Sequence, residues 1–107
     1  MIKKSKKMIE REKLLIWRNA VVNRDNYKCQ ICKHLGINTI TKPRGLSAHH
    51  IIPKHYKDLK YDIMNGITLC FNHHKVGKMS AHMNSIFFTL FLQNYKKEQY
   101  VYLKNKL

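Results

Sequence analysis

The chain has 107 residues and sets 21 Lys and Arg against 6 Asp and Glu, a formal net charge of +15. That length holds one domain with a thin core, of a size that often adds a staple, and a charge far beyond what solubility needs favours a polyanionic partner, nucleic acid first. The basic start runs into Glu10, Arg11, Glu12 and Lys13, which argues against an export signal and for a cytoplasmic protein, and the apolar runs Leu14 to Trp17 and Ile86 to Leu92 are too short to cross a bilayer.

In chain order, residues 1–7 carry four lysines and read as a basic arm. From Met8 to about Arg24, Ile9, Leu14, Ile16, Trp17, Ala20, Val21 and Val22 fit an amphipathic helix over 8–25 with one broad buried stripe. Gly36, Pro43 and Gly45 punctuate a loop. Leu46 to Pro53 predicts a strand that stops at the proline, and Gly66 to Cys70 a second short strand, with an insertion from His55 to Asn65 between them. Phe71 to about Ser80 reads as a helix, and Asn84 or Ser85 caps a last helix over 85–105 through Ile86, Phe87, Leu90, Phe91 and Tyr95. The expected order is helix, knuckle, strand, loop, strand, helix, helix, an α+β chain of a single domain. The last helix has more apolar residues than one face requires, so it either caps the core against the Trp17 helix or self-associates; a monomer or weak homodimer is expected.

Cys29-x-x-Cys32 and Cys70-x-x-His73 are two ligand pairs at the spacing by which a tight turn presents two side chains to one tetrahedral ion. Three cysteines are an odd number for disulfides, and a closed, thiolate-rich, four-ligand set suits a structural zinc with no open position for water. His74 is the alternative fourth ligand to His73. Further histidines stand at the adjacent pair His49-His50 on the first strand and at His74 after the second, with Asn65 between them. Adjacent side chains on an ideal strand face opposite ways, so His49 and His50 serve one site only if the strand twists or ends there.

These residues, with Trp17-Arg18, Arg24-Asp25, Tyr27, Gln30-Ile31, Ala48, Ile51-Ile52-Pro53, Asp62 and Gly66-Ile67-Thr68-Leu69, resemble the HNH endonucleases of phages and mobile elements over roughly residues 17–82. The resemblance implies a ββα-metal core, zinc-stapled over 29–82 and flanked by N- and C-terminal helices. It implies a DNA endonuclease in which His50 is the general base, Asn65 holds the His50 ring or its loop, and His49 and His74 bind a catalytic divalent ion. Products with a 5′-phosphate and a 3′-hydroxyl are implied as well. His82 is the nearest candidate for a third ligand, but it lies eight residues after His74, about 80° away around an unbroken helix, so waters and the phosphate are expected ahead of it to complete the shell. Imidazole ligands would bind Mg2+ weakly and suit Mn2+ or Ni2+ better. His34 and His55 have no partner in the pattern and read as surface residues.

Lys42, Arg44, Lys54, Lys57, Lys60, Lys75 and Lys78 flank the histidines in sequence, as a rim gripping the phosphates of double-stranded DNA would. No cluster suited to reading base edges is evident, so weakly specific cleavage is expected. The competing readings are a non-catalytic zinc module that binds nucleic acid, which needs the cysteines and the basic surface but neither His50 nor Asn65, and an inactive relic of the same family.

Overall fold

The computed structural model describes residues 3–37 and 45–107. It is an α+β structure built from α1 (Lys6–Arg24), α2 (Gln30–Leu35), strands β1 (Leu46–His50) and β2 (Gly66–Cys70), and helices α3 (Ser85–Tyr95) and α4 (Lys97–Lys106). The strands pair antiparallel in one two-stranded sheet, with Leu46 opposite Cys70 and His50 opposite Gly66. All five residues of β2 are buried, whereas β1 is half-buried apart from Leu46. No helix among the described residues is long and apolar enough to cross a membrane.

Helix α1 starts two residues earlier than expected because Ser5 caps it, its hydroxyl accepting from the Met8 backbone N–H. Its buried contribution is narrower than the sequence pattern predicts. Only Trp17, Val21 and Val22 are buried, while Ile9 and Ile16 are exposed. The C-terminal end of α1 is bolted to β2: Arg24 donates to the carbonyls of Ile63 and Gly66, and Asp25, paired with Arg24, accepts from the Thr68 N–H. Ile31, Ile67, Leu69, Val22, Phe91 and Leu92 pack with the cysteines into the core between the helices and the sheet.

Three expectations are corrected. The first strand ends at His50 rather than Pro53, because the Asn65 side chain takes over the hydrogen bonds of Ile52. The helix expected over Phe71 to Ser80 is a single π-type turn, Asn72–Val76, ended at Gly77. The closing segment is two helices, α3 and α4, with Lys96 between them. The bend lets α4 fold back so that Gln99 donates to the Met64 and Gly66 carbonyls and Tyr102 reaches Asp62. The knuckle between the first two cysteines is itself the start of a short helix, α2, closed by Gly36 in the left-handed conformation.

Gly66 sits where α1 crosses β2, and a Cβ built there would lie 2.4 Å from Val21 Cγ2 and 2.8 Å from Trp17 Cζ2. Its φ of −124° is ordinary for any residue, so the requirement is space. Gly66→Ala should push α1 off the sheet and lower stability by about 1–3 kcal/mol, the scale of overpacking, read as a fall in the thermal unfolding midpoint.

Candidate functional site

Two clusters of side chains flank the sheet. In the first, the short helix α2 presents Cys29 and Cys32, and the end of β2 with the turn after it presents Cys70 and His73; all four are buried. His73 Nδ1 lies 3.3 Å from Cys32 Sγ, 3.3 Å from Cys70 Sγ and 3.5 Å from Cys29 Sγ, and the Cys32 and Cys70 sulfurs are 3.8 Å apart. A zinc ion bonded at its usual lengths and tetrahedral angles holds sulfurs about 3.8 Å apart and sulfur and nitrogen about 3.6 Å apart. The four side chains therefore fit such an ion with little movement. Burial, followed by the neighbouring thiols, pushes the Cys29 thiol up to about 12 against the lowering effect of backbone hydrogen bonds. A thiolate there needs a cation beside it, which zinc supplies. His73, not His74, lies among the thiols.

The second cluster gathers His49, His74 and His82, each offering one ring nitrogen within 4.8 Å of the others. The His82 and His74 Nε2 atoms face each other at 3.1 Å, and the His74 Nδ1 is buried without a hydrogen-bond partner among the described residues. Burial, with His74, His82 and His50 adding to it, lowers the His49 pKa to about 3, and burial with His82 and Lys75 lowers His74 to about 4. Neutral imidazoles facing one another, one with an orphaned nitrogen, are short of the positive centre that a divalent cation provides.

The sequence ranks His82 behind waters and the phosphate as the completion of this shell; the structure brings it beside His49 and His74. The break at Gly77 turns the chain back so that His82 N–H donates to the His74 carbonyl and Ala81 N–H to the His73 carbonyl. The helical angle assumed from the sequence therefore does not apply. Gly77 was the one signal that could have revealed it.

His49 and His50 do face opposite ways. His49 packs edge-on against Phe88 and the other two histidines. His50 instead stacks on Trp17, ring centroids 3.9 Å apart and planes 10° from parallel. Both still line one cleft of about 930 Å³ between α1 and the β1 side, which Lys54, His74, Lys75 and His82 also line. The His50 Nε2 donates to the Lys60 carbonyl at 2.9 Å. Since a carbonyl only accepts, the proton sits on Nε2, and Nδ1 is left as the basic nitrogen. Burial, with Lys54 assisting and the Lys60 carbonyl opposing, lowers the His50 pKa, so the ring is in its proton-accepting form at neutral pH.

Asn65 is fully buried and bonds the loop rather than the ring. Its amide accepts from Ile52 N–H at 2.6 Å and donates to the carbonyls of Ile52 and Leu59, both at 3.0 Å. Of the expected rim, Lys54 and Lys75 line the cleft, Lys78 is exposed but not among the lining residues, and Lys42 and Arg44 fall outside the described residues. Lys60 is paired with Glu10, and its carbonyl rather than its ammonium meets the site. Sequence reasoning also missed Arg11 on the cleft wall. His34 is exposed, as expected, but not without partners: its ring packs on Tyr95 and Phe91, joining α2 to α3.

Residues 29–76 match the family model described as HNH endonuclease. The match takes in the cysteine cluster, His49, His50, Asn65 and His74, and leaves His82 and α1 outside it. No curated protein and no solved structure matches the chain.

Zinc binding in small domains contributes on the order of 10 kcal/mol, comparable to a whole domain's net stability of about 5–15 kcal/mol. Cys70→Ser should therefore abolish the cooperative unfolding transition, and wild type should carry about one zinc per chain by elemental analysis. A folded wild-type protein free of zinc would overturn this assignment.

Proposed function

With residues 29–76 assigned to the HNH endonuclease family, we propose that the protein is a metal-dependent endonuclease that hydrolyses phosphodiester bonds of DNA. His50 is its general base. The observation that carries this reading is the state of the His50 ring: clamped on Trp17, its Nε2 proton engaged by Lys60, its Nδ1 left as the basic nitrogen, and the residue lining the same cleft as the three-histidine cluster.

In this reading the cleft receives the DNA backbone, with Lys54 and Lys75 against its phosphates. His50 Nδ1 takes a proton from the water that attacks phosphorus. The Lys60 carbonyl then faces an imidazolium N–H, and the Trp17 face favours the positive ring, so both partners stabilise the protonated product of that step. Asn65 acts through the loop, keeping the Lys60 segment and the end of β1 at a fixed distance. His49, His74 and His82 hold the divalent cation, which when bound neutralises phosphate charge and stabilises the leaving oxygen. With three nitrogens and no carboxylate in the cluster, Mn2+ or Ni2+ suits the set better than Mg2+.

Supercoiled plasmid incubated at low salt with Mn2+ or Mg2+ should be nicked by wild type and protected by a chelator. His50→Ala should keep zinc, fold and DNA affinity yet cut about a hundredfold more slowly or worse, the scale of losing a general base. Full-rate nicking by that variant would exclude His50 as the base. DNA binding without any cutting by wild type, under every divalent ion, would favour a non-catalytic zinc module.

His82→Ala tests the third ligand separately. It should raise the Mn2+ concentration needed for half-maximal nicking by about tenfold while leaving the zinc content alone. An unchanged metal titration would mean that His49 and His74 suffice.

A further inference from the structure

The N-terminal half of α1 reaches well beyond the core. Residues 6–13 are all exposed, and the helix buries side chains only from Trp17 onward. One flank of this projecting half is held by the rest of the molecule: Glu10 pairs with Lys60, and Lys13 lies over the Tyr61 ring. Lys7, Arg11 and Arg18 lie on a different flank, since steps of four and seven residues return to one face of a helix. That face leads directly into the cleft, whose wall includes Arg11, Leu14 and Arg18.

The charge on this face is not neutralised from within. The helix carries two carboxylates, Glu10 and Glu12, and each is committed to another cation, Lys60 and Lys4. Among the described residues no ion pair forms at Lys7 or Arg11. Arg18, by contrast, is anchored at the mouth by donating to the Leu46 carbonyl.

We propose that the N-terminal half of α1 is a docking rail for the sugar–phosphate backbone of duplex DNA, with Lys7 and Arg11 as its phosphate contacts. The inference rests on the nuclease reading for its partner and adds a surface that lies outside the matched segment 29–76. Its occupant follows from charge complementarity and from continuity with the cleft. At a rise of about 1.5 Å per residue, Lys7 lies about 15 Å along the axis from Trp17, the residue stacked on His50. Duplex DNA advances about 3.4 Å per base pair, so a backbone running along α1 would meet Lys7 about four base pairs from the level of Trp17.

The test is the salt dependence of binding to a short duplex, measured by fluorescence anisotropy without divalent ion so that nothing is cut. Lys7→Ala/Arg11→Ala should weaken binding and reduce the slope of log affinity against log salt by about 1.8, or about 0.9 for each phosphate that is no longer neutralised. Lys97→Ala/Lys104→Ala removes the same formal charge from exposed positions of α4, away from the cleft, and should leave the slope near that of wild type. Equal slopes for wild type and the α1 variant would overturn the rail, as would equal reductions in both variants, which would reduce it to net charge. Because this measurement needs no cleavage, a rail that fails in a protein that still nicks plasmid leaves the nuclease reading intact. A wild type that binds with the predicted α1 dependence but never nicks removes the nuclease reading and keeps the rail.

Discussion

The cleft depends on how closely α1 approaches the start of β2. Gly66 has no side chain, and Val21 and Trp17 occupy the space one would fill. Around that contact Arg24 gathers the Ile63 and Gly66 carbonyls, Asp25 satisfies the Thr68 N–H, and the Trp17 indole donates to the Asp62 carbonyl at 2.8 Å. Of these bonds the one from Thr68 N–H to Asp25 is buried, so it avoids a desolvation cost of about 1–3 kcal/mol that an unpaired group would incur. The consequence reaches the chemistry directly. Trp17 is at once the residue packed on Gly66 and the platform for His50, so the helix-to-sheet distance sets where the His50 ring lies.

Strand β2 joins this anchor to the cysteine cluster. Its first residue lies under α1, and its last, Cys70, contributes a thiol to the group that also holds α2 and the turn carrying His73 and His74. Five buried residues thus tie both halves of the site to one rigid element. Because His73 and His74 are neighbours, fixing His73 among the thiols also fixes where the adjacent ring starts. The cysteine cluster then acts on the cleft without touching it: it determines the origin of the turn that delivers His74 and, through the return at Gly77, His82.

What could be read from the sequence was whatever depends on short spacing. Cys29-x-x-Cys32 and Cys70-x-x-His73 declare themselves as pairs, and the apolar content of 46–53 and 66–70, with the proline that bounds the first, places two strands to within a few residues. The unread features are those made by a break or by a contact distant in sequence. His82 needed the chain to reverse at Gly77; an unbroken helix would have carried it away from His74. Arg11 is a cleft residue because α1 lies against β1, and Ile9 and Ile16, apolar at helical spacing, are exposed because the sheet is too small to cover the whole helix. His34 looked solitary because Phe91 and Tyr95 meet it from the far end of the chain. Lys96 gave no sign that the last helix would bend there.

The sharpest constraint on the site is that two adjacent histidines face opposite ways and still line one cleft. Strand alternation separates them, sending His49 to the imidazole cluster and His50 to Trp17. Had β1 continued, the regular ladder would have held His50 on the far face with further strand residues beyond it. The strand stops because Asn65 substitutes for the next rung. Its backbone carbonyl accepts from Ile51 N–H, and its side-chain amide both accepts from and donates to Ile52, as a facing peptide group would. The chain can then bend away at Ile51 and Ile52 with its polar groups satisfied, and the loop it enters returns the Lys60 carbonyl to His50 Nε2. A Leu of similar volume would fill the space but remove the partner of the Ile52 N–H and carbonyl and leave the Leu59 carbonyl with the Asp62 N–H alone. The requirement at position 65 is therefore for an amide that can accept and donate at once, which Asp, lacking the donor when ionised, does not meet.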